Sequence, residues 1–175
     1  MQEKAEHSRG AVLFCTDFSE GADFSYRFAV AEAQRAGQSM LYILYVLPEA
    51  EAQFWRTYLY EIENVDDKAR MDIYNRITNA YIEATPDDLN IKVLIREGRP
   101  SEQILQAAKE LDAGLIVIGR EGSSDLRKPL FGSIVEKIAR KASCPVLIVP
   151  HSFARKHDMK AKPETGQAGI INDKL

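Results

Sequence analysis

The chain has 175 residues, is 45% hydrophobic and 28% charged, and carries a net charge of −3. That length supports one domain with its own core, and the slight negative balance argues against broad non-specific nucleic-acid binding. No apolar run approaches the roughly 20 residues of a membrane helix. Residues 1–10 are charged and lack the apolar stretch of a secretory signal, so the expected location is cytoplasmic.

Cys15 and Cys144 form no disulfide framework and have no partners at metal-ligand spacing. His7, His151 and His157 fall in terminal segments and are expected to be solvated.

Apolar runs and helical patterns alternate along the chain. Ala11 to Cys15 reads as a buried strand followed by turn chemistry. Ala22 to Gly37 places Tyr26, Ala29, Val30 and Ala33 at helical spacing, with Gly37 as the expected C-terminal cap. Met40 to Leu47 is a second strand, stopped by Pro48. Glu51 to Thr85 is mostly helical: Ile73, Ile77, Ala80, Tyr81 and Ala84 share one face, and a break is expected near Asn64 to Asp67. Phe54, Trp55, Tyr58 and Tyr60 are either buried or an aromatic contact patch.

Asn90 to Glu97 alternates Ile91, Val93 and Ile95 with Lys92, Leu94 and Arg96, as a strand near a sheet edge does. Gly98 to Ser101 is a turn with Ser101 as the expected helix N-cap, and Ile104, Leu105, Ala108 and Leu111 mark the buried stripe that follows. Leu115 to Ile118 is a fourth strand, Gly132 to Ala142 a helix, and Cys144 to Val149 a fifth strand. This alternation predicts a doubly wound α/β sheet with helices on both faces. Residues 1–10 are an N-terminal extension, 11–150 the domain, and 151–175 a polar tail, mobile or ordered by a partner.

In such sheets ligands bind beyond the carboxyl ends of strands where winding reverses. If the first and fourth strands are neighbours, Thr16-Asp17-Phe18-Ser19-Glu20 faces Gly119-Arg120-Glu121-Gly122. The two cysteines would then lie about 10 Å apart, too far to bridge. Glycines let a backbone approach an anion, and helix-start N–H groups favour negative charge. Ser133-x-x-Glu136 is at once a possible phosphate contact and a capping box. Asp17 fits a ribose contact, a water-bridged metal ligand or an Asx turn.

The pattern Gly-x2-Gly-x9-Gly-Ser at Gly119, Gly122, Gly132 and Ser133 resembles the ATP-binding signature of the universal stress protein family. Ser143 to Val149 resembles its last strand, and Thr16 to Glu20 its first loop. The resemblance spans residues 10–150. It implies a five-stranded parallel sheet of order 3-2-1-4-5, adenine-nucleotide binding in one branch, and homodimers through the last strand, Val146 to Val149. It implies that Gly119, Gly122, Gly132 and Ser133 meet phosphates, with Ile134 and Val135 also among the nucleotide-binding residues. Thr16 and Asp17 would meet ribose or magnesium-bound water, and the backbone around Cys15, Val46 and Ile118 the base.

Glu121 stands where the family often has a basic or polar residue. A carboxylate 4 Å from a phosphate costs around 1 kcal/mol in water and several times more near a surface, so AMP or ADP competes with ATP as the expected ligand. Arg120, Arg127 and Lys128 offset that charge, Asp125 adds to it and Pro129 stiffens the loop. If Glu121 fills the pocket, the chain is a nucleotide-free dimeric interaction module with a protein partner. No P-loop, no glycine fingerprint after the first strand and no phospho-receiver acid set is present. No catalytic triad converges, so turnover is expected to be slow or absent.

Overall fold

The computed structural model describes residues 10–36, 40–58, 65–83, 85–86, 88–120 and 132–156. Five parallel strands form one sheet: β1 (Val12–Thr16), β2 (Leu41–Leu47), β3 (Ile91–Glu97), β4 (Leu115–Gly119) and β5 (Val146–Val149). Their order is β3-β2-β1-β4-β5, so the winding reverses between β1 and β4. Cys15 pairs with Ile118, which puts the β1 and β4 ends side by side.

The helices are α1 (Glu20–Arg35), α2 (Glu49–Tyr58), α3 (Val65–Ile77), α4 (Pro100–Glu110), α5 (Ser133–Lys141) and α6 (His151–Lys156). A π-helical turn, Thr78–Ile82, continues α3. Helix α1 starts where Ser19 accepts the Ala22 amide, with Glu20 and Asp23 in its first turn complementing the helix dipole. It ends at Arg35 with Ala36 as C-cap; Gly37 lies outside the described residues.

Period-two alternation along β1 splits the core into two layers. Val12 and Phe14 pack toward α1, Ile77 and Tyr81. Leu13 and Cys15 pack toward Ile104 of α4 and Val135 and Ile138 of α5. On the first face Phe14, Tyr26 and Tyr81 lie 4.8 to 5.3 Å apart, ring centre to ring centre. Both cysteines are free thiols.

Three expectations change. Arg99 holds the N-cap position of helix α4 without a side-chain cap, Pro100 is its first residue, and Ser101 is buried one position further in. Proline takes the first helical position because its fixed φ suits it and its missing N–H costs nothing there. Residues 151–156 are helical rather than loose tail, with Phe153 set against Phe24 and Phe28 of α1. His151 is not fully solvated: its side chain is 17% exposed and lies 3.6 Å from Glu20. His7 and His157 lie outside the described residues, as do the side chains of Phe54, Trp55, Tyr58 and Tyr60.

Candidate nucleotide site

A cavity of about 270 Å³ opens at the carboxyl ends of β1 and β4. Its lining includes Cys15, Thr16 and Asp17 from the end of β1, Val46 from β2, and Ile118 and Gly119 from β4. Gly132, Ser133, Ile134 and Val135 from the start of α5 complete the set expected from sequence; Gly122 and Glu121 lie outside the described residues. The fold adds Tyr45, Pro48 and Glu51 on one side, and Pro100, Ile104 and Arg120 on the other. Arg120 lies inside the Gly119 to Gly122 motif; the others come from β2, α2, α4 and the turn before α2, segments with no glycine motif to flag them. Leu44, Val46, Ile104 and Ile118 make the floor apolar, which suits a flat base, while polar groups collect at the rims.

The two conspicuous glycines have different physical causes. A Cβ on Gly119 would stand 2.8 Å from the backbone carbonyl of Gly21, so glycine is required there for β4 to pack against the start of α1. Among the described residues, a Cβ at Gly132 would meet only the Arg120 carbonyl, at 4.0 Å. Gly132 has φ −56° and ψ 147°, a conformation open to any residue. Among the described residues neither packing nor backbone geometry asks for glycine at 132, where a glycine leaves room for a close approach.

Gly132 is the N-cap of α5, and among the described residues no side chain caps that helix. The capping-box expectation for Ser133 is therefore corrected: Ser133 is the first helical residue, and a cap must stand one position earlier for its side chain to reach back to the helix amides. Ser133 is exposed on the cavity rim instead.

At the opposite rim, Asp17 Oδ1 accepts from the Ser19 amide at 3.1 Å and its hydroxyl at 2.6 Å, an Asx turn. The carboxylate stays exposed on the cavity. Thr16 is different. Its Oγ1 accepts the Phe18 amide at 3.0 Å and lies 2.6 Å from the Tyr81 hydroxyl, which donates to Asp23 Oδ1 at 2.7 Å. A carboxylate only accepts, so the Tyr81 proton goes to Asp23 and the Thr16 proton to Tyr81. The Thr16 hydroxyl thus keeps no proton for a ribose. Burial pushes the Tyr81 phenol well above the usual tyrosine range, which keeps it a donor. Burial likewise raises the Cys15 thiol far above an ordinary cysteine, so Cys15 is an apolar wall and not a nucleophile.

Phe18 has φ 58°. A bulky residue in the left-handed region costs on the order of 1–3 kcal/mol and persists only where its surroundings hold it. Its ring stacks on Tyr81 (6.2 Å, 9°), lies 5.0 Å from Tyr45 and sits 4.0 Å below the Arg76 guanidinium.

Among the described residues no cluster of three His, Cys, Asp or Glu side chains forms a metal site. Asp17 is a single exposed carboxylate, a donor set that suits magnesium only when phosphates and waters supply the other ligands. No described helix is long and apolar enough to cross a membrane.

The model of the Universal stress protein family matches residues 9–150. The chain belongs to the universal stress protein family. As a member, it is 26% identical to Universal stress protein MJ0577 of Methanocaldococcus jannaschii over 151 residues, 79% of this chain and 93% of that one. The solved structure of MJ0577 covers 81% of this chain and 96% of its own, with a TM-score of 0.69. Universal stress protein YxiE of Bacillus subtilis is 30% identical over 138 residues, 74% of this chain and 93% of YxiE. The universal stress protein of Archaeoglobus fulgidus, solved in complex with dAMP, shares the fold at 22% identity and a TM-score of 0.55, covering 80% of this chain and 97% of that one.

Proposed function

We propose that this universal stress protein binds an adenine nucleotide in the β1–β4 crevice and acts as a cytoplasmic homodimer. The observation that carries the reading is Gly132: an unstrained glycine, uncrowded by the described residues, at the start of α5 beside an apolar cavity. Helix-start amides without a side-chain cap favour an anion, and Ser133 adds a hydroxyl at the same rim. Gly122 is assigned to the same phosphate cradle on motif spacing. The solved dAMP complex of a protein with this fold is in keeping with such a ligand.

The base rests between Val46, Ile104 and Ile118, with the ribose toward Asp17. A volume of about 270 Å³ lies at the low end of ligand pockets and suits base and ribose, with the phosphates reaching outward over Gly132. ATP, ADP and AMP share that core. Magnesium, where phosphates bring it, sits on Asp17 through water. Phosphoryl transfer needs a positioned base or nucleophile beside the cradle. The cavity carboxylates Asp17 and Glu51 are both exposed, so hydrolysis is slow or absent and the role is nucleotide sensing.

Dimerisation through β5 follows from its position. It is an edge strand of four apolar residues, Val146 to Val149, a type of edge that proteins cover. Sedimentation at micromolar concentration tests it, and a monomer there removes the dimer alone. The nucleotide is tested by chromatography of the supernatant from heat-denatured purified protein, together with melting curves. If nothing copurifies and millimolar ATP, ADP and AMP all leave Tm unchanged, the binding reading falls.

A further inference from the structure

The face of β1 that turns away from the cavity is tied to the cavity's own rim. Phe18 N–H, Thr16 O–H and Tyr81 O–H donate in one direction, ending on Asp23 of α1. Hydrogen bonds aligned in series polarise one another. The chain crosses from the β1–α1 loop to the π turn, joining residues sixty-five positions apart. The Tyr81 ring also underlies Phe18, whose left-handed backbone sits immediately after Asp17. One side chain thereby holds both the last residue of β1 and the ring at the centre of the loop. A π turn displaces a helix residue from its regular position, and such turns recur at functional sites; here the displaced segment carries Tyr81.

We propose that Tyr81 is a positioning residue for the nucleotide crevice: through Thr16 and the ring of Phe18 it fixes the loop that presents Asp17 to the ligand. The loop is pre-set before binding, so its ordering is not charged to the ligand. The proposal rests on the nucleotide reading above for its ligand, but the loop geometry it describes belongs to the ligand-free chain.

Tyr26 supplies the matched control. Its ring lies 4.8 Å from Tyr81 in the same buried cluster, but its hydroxyl bonds Thr85, remote from the β1–α1 loop. The full chain is compared with Tyr81→Phe, Tyr26→Phe, Thr16→Val and Thr16→Ser at a temperature where all are folded. Two quantities are read: hydrogen exchange at the Phe18 and Ser19 amides without ligand, and the Kd for AMP. Tyr81→Phe and Thr16→Val are expected to speed exchange at both amides and weaken AMP, each about three- to tenfold, the effect of one ordinary hydrogen bond. Thr16→Ser keeps the hydroxyl and restores both. Tyr26→Phe lowers Tm to a similar extent and moves neither.

Unchanged loop exchange in Tyr81→Phe, or an equal rise in Tyr26→Phe, overturns the proposal. AMP weakened with no change in loop exchange overturns it as well. A wild-type chain that binds no AMP sinks the nucleotide reading, while the exchange rates still decide whether Tyr81 sets the loop.

Discussion

The two rims of the crevice are built on opposite plans. At the β1–α1 rim the protein satisfies itself: Asp17 holds Ser19, Thr16 holds Phe18 and Tyr81, and Gly119 packs onto Gly21 with no room for a methyl group. The α5 rim is plain by contrast: among the described residues Gly132 has space beside it, no side chain caps the helix, and Ser133 and Ile134 are exposed. The difference teaches where to look for function in a glycine motif. Gly119 is explained by packing, so a ligand is not required to account for it; no described neighbour explains Gly132, which is why the proposed ligand is placed there.

The sharpest way to break this contrast is to add a methyl group at each glycine. Gly119→Ala pushes a Cβ into backbone that cannot move aside, and should cost about 3 kcal/mol in urea unfolding, at the upper end of overpacking penalties. An unchanged midpoint would show that α1 slides off β4 freely, and would erase the distinction. Gly132→Val should leave stability within about 1 kcal/mol, the scale of a helix-cap change. It should lower nucleotide affinity at least about tenfold, or 1.4 kcal/mol. Full affinity in that variant removes Gly132 from the site.

Ser133→Ala sharpens the comparison further. Because the hydroxyl does not cap α5, stability should hold within about 0.5 kcal/mol, the range for ordinary surface changes. Affinity should drop about three- to tenfold, the loss of one hydrogen bond to a phosphate. A marked fall in stability with unchanged affinity would return the serine to a capping role.

The smallest effect concerns the α4 and α5 walls behind that rim. Lys137 of α5 lies 3.1 Å from Glu102 of α4 and holds its carboxyl below the usual glutamate range. A lowered carboxyl pKa adds stability above the unfolded value and loses it as pH falls through the folded one. Glu102 is exposed and Lys137 half-buried, so solvent screening keeps the contribution slight. Lys137→Met should bring the Glu102 titration, followed by NMR, back toward the ordinary range. An unmoved titration would mean that Arg99, 3.6 Å away, carries the effect instead.

Much of this was legible without coordinates. The strand and helix alternation came out as expected, because hydrophobic periodicity is a local property of the chain; the sheet order, with β1 beside β4, matches what the family resemblance implies and is not carried by periodicity. Helix starts were harder. Ser101 and Ser133 both look like N-caps, yet Arg99 and Gly132 occupy that position. Capping depends on where the preceding strand releases the chain, and Pro100 claims the first helical place in α4. Thr16 looks like a ligand group because it stands at a strand end, and nothing nearby hints that a tyrosine from a π turn takes its hydroxyl.

The amino-acid sequence by itself determined the kind of sheet and, through its motifs, the family; the segments that meet at the crevice followed once that family's strand order was taken with it. Periodicity and glycine spacing are written within a few residues of each other, so they need no tertiary contact to be read. Only the folded chain decided which glycine is structural and which is open, and whose hydroxyls are already engaged. Those facts depend on distances between backbone at Gly119 and Gly21, and between side chains at Thr16 and Tyr81. Such pairs share no local pattern. Packing creates them, and only packing reveals them.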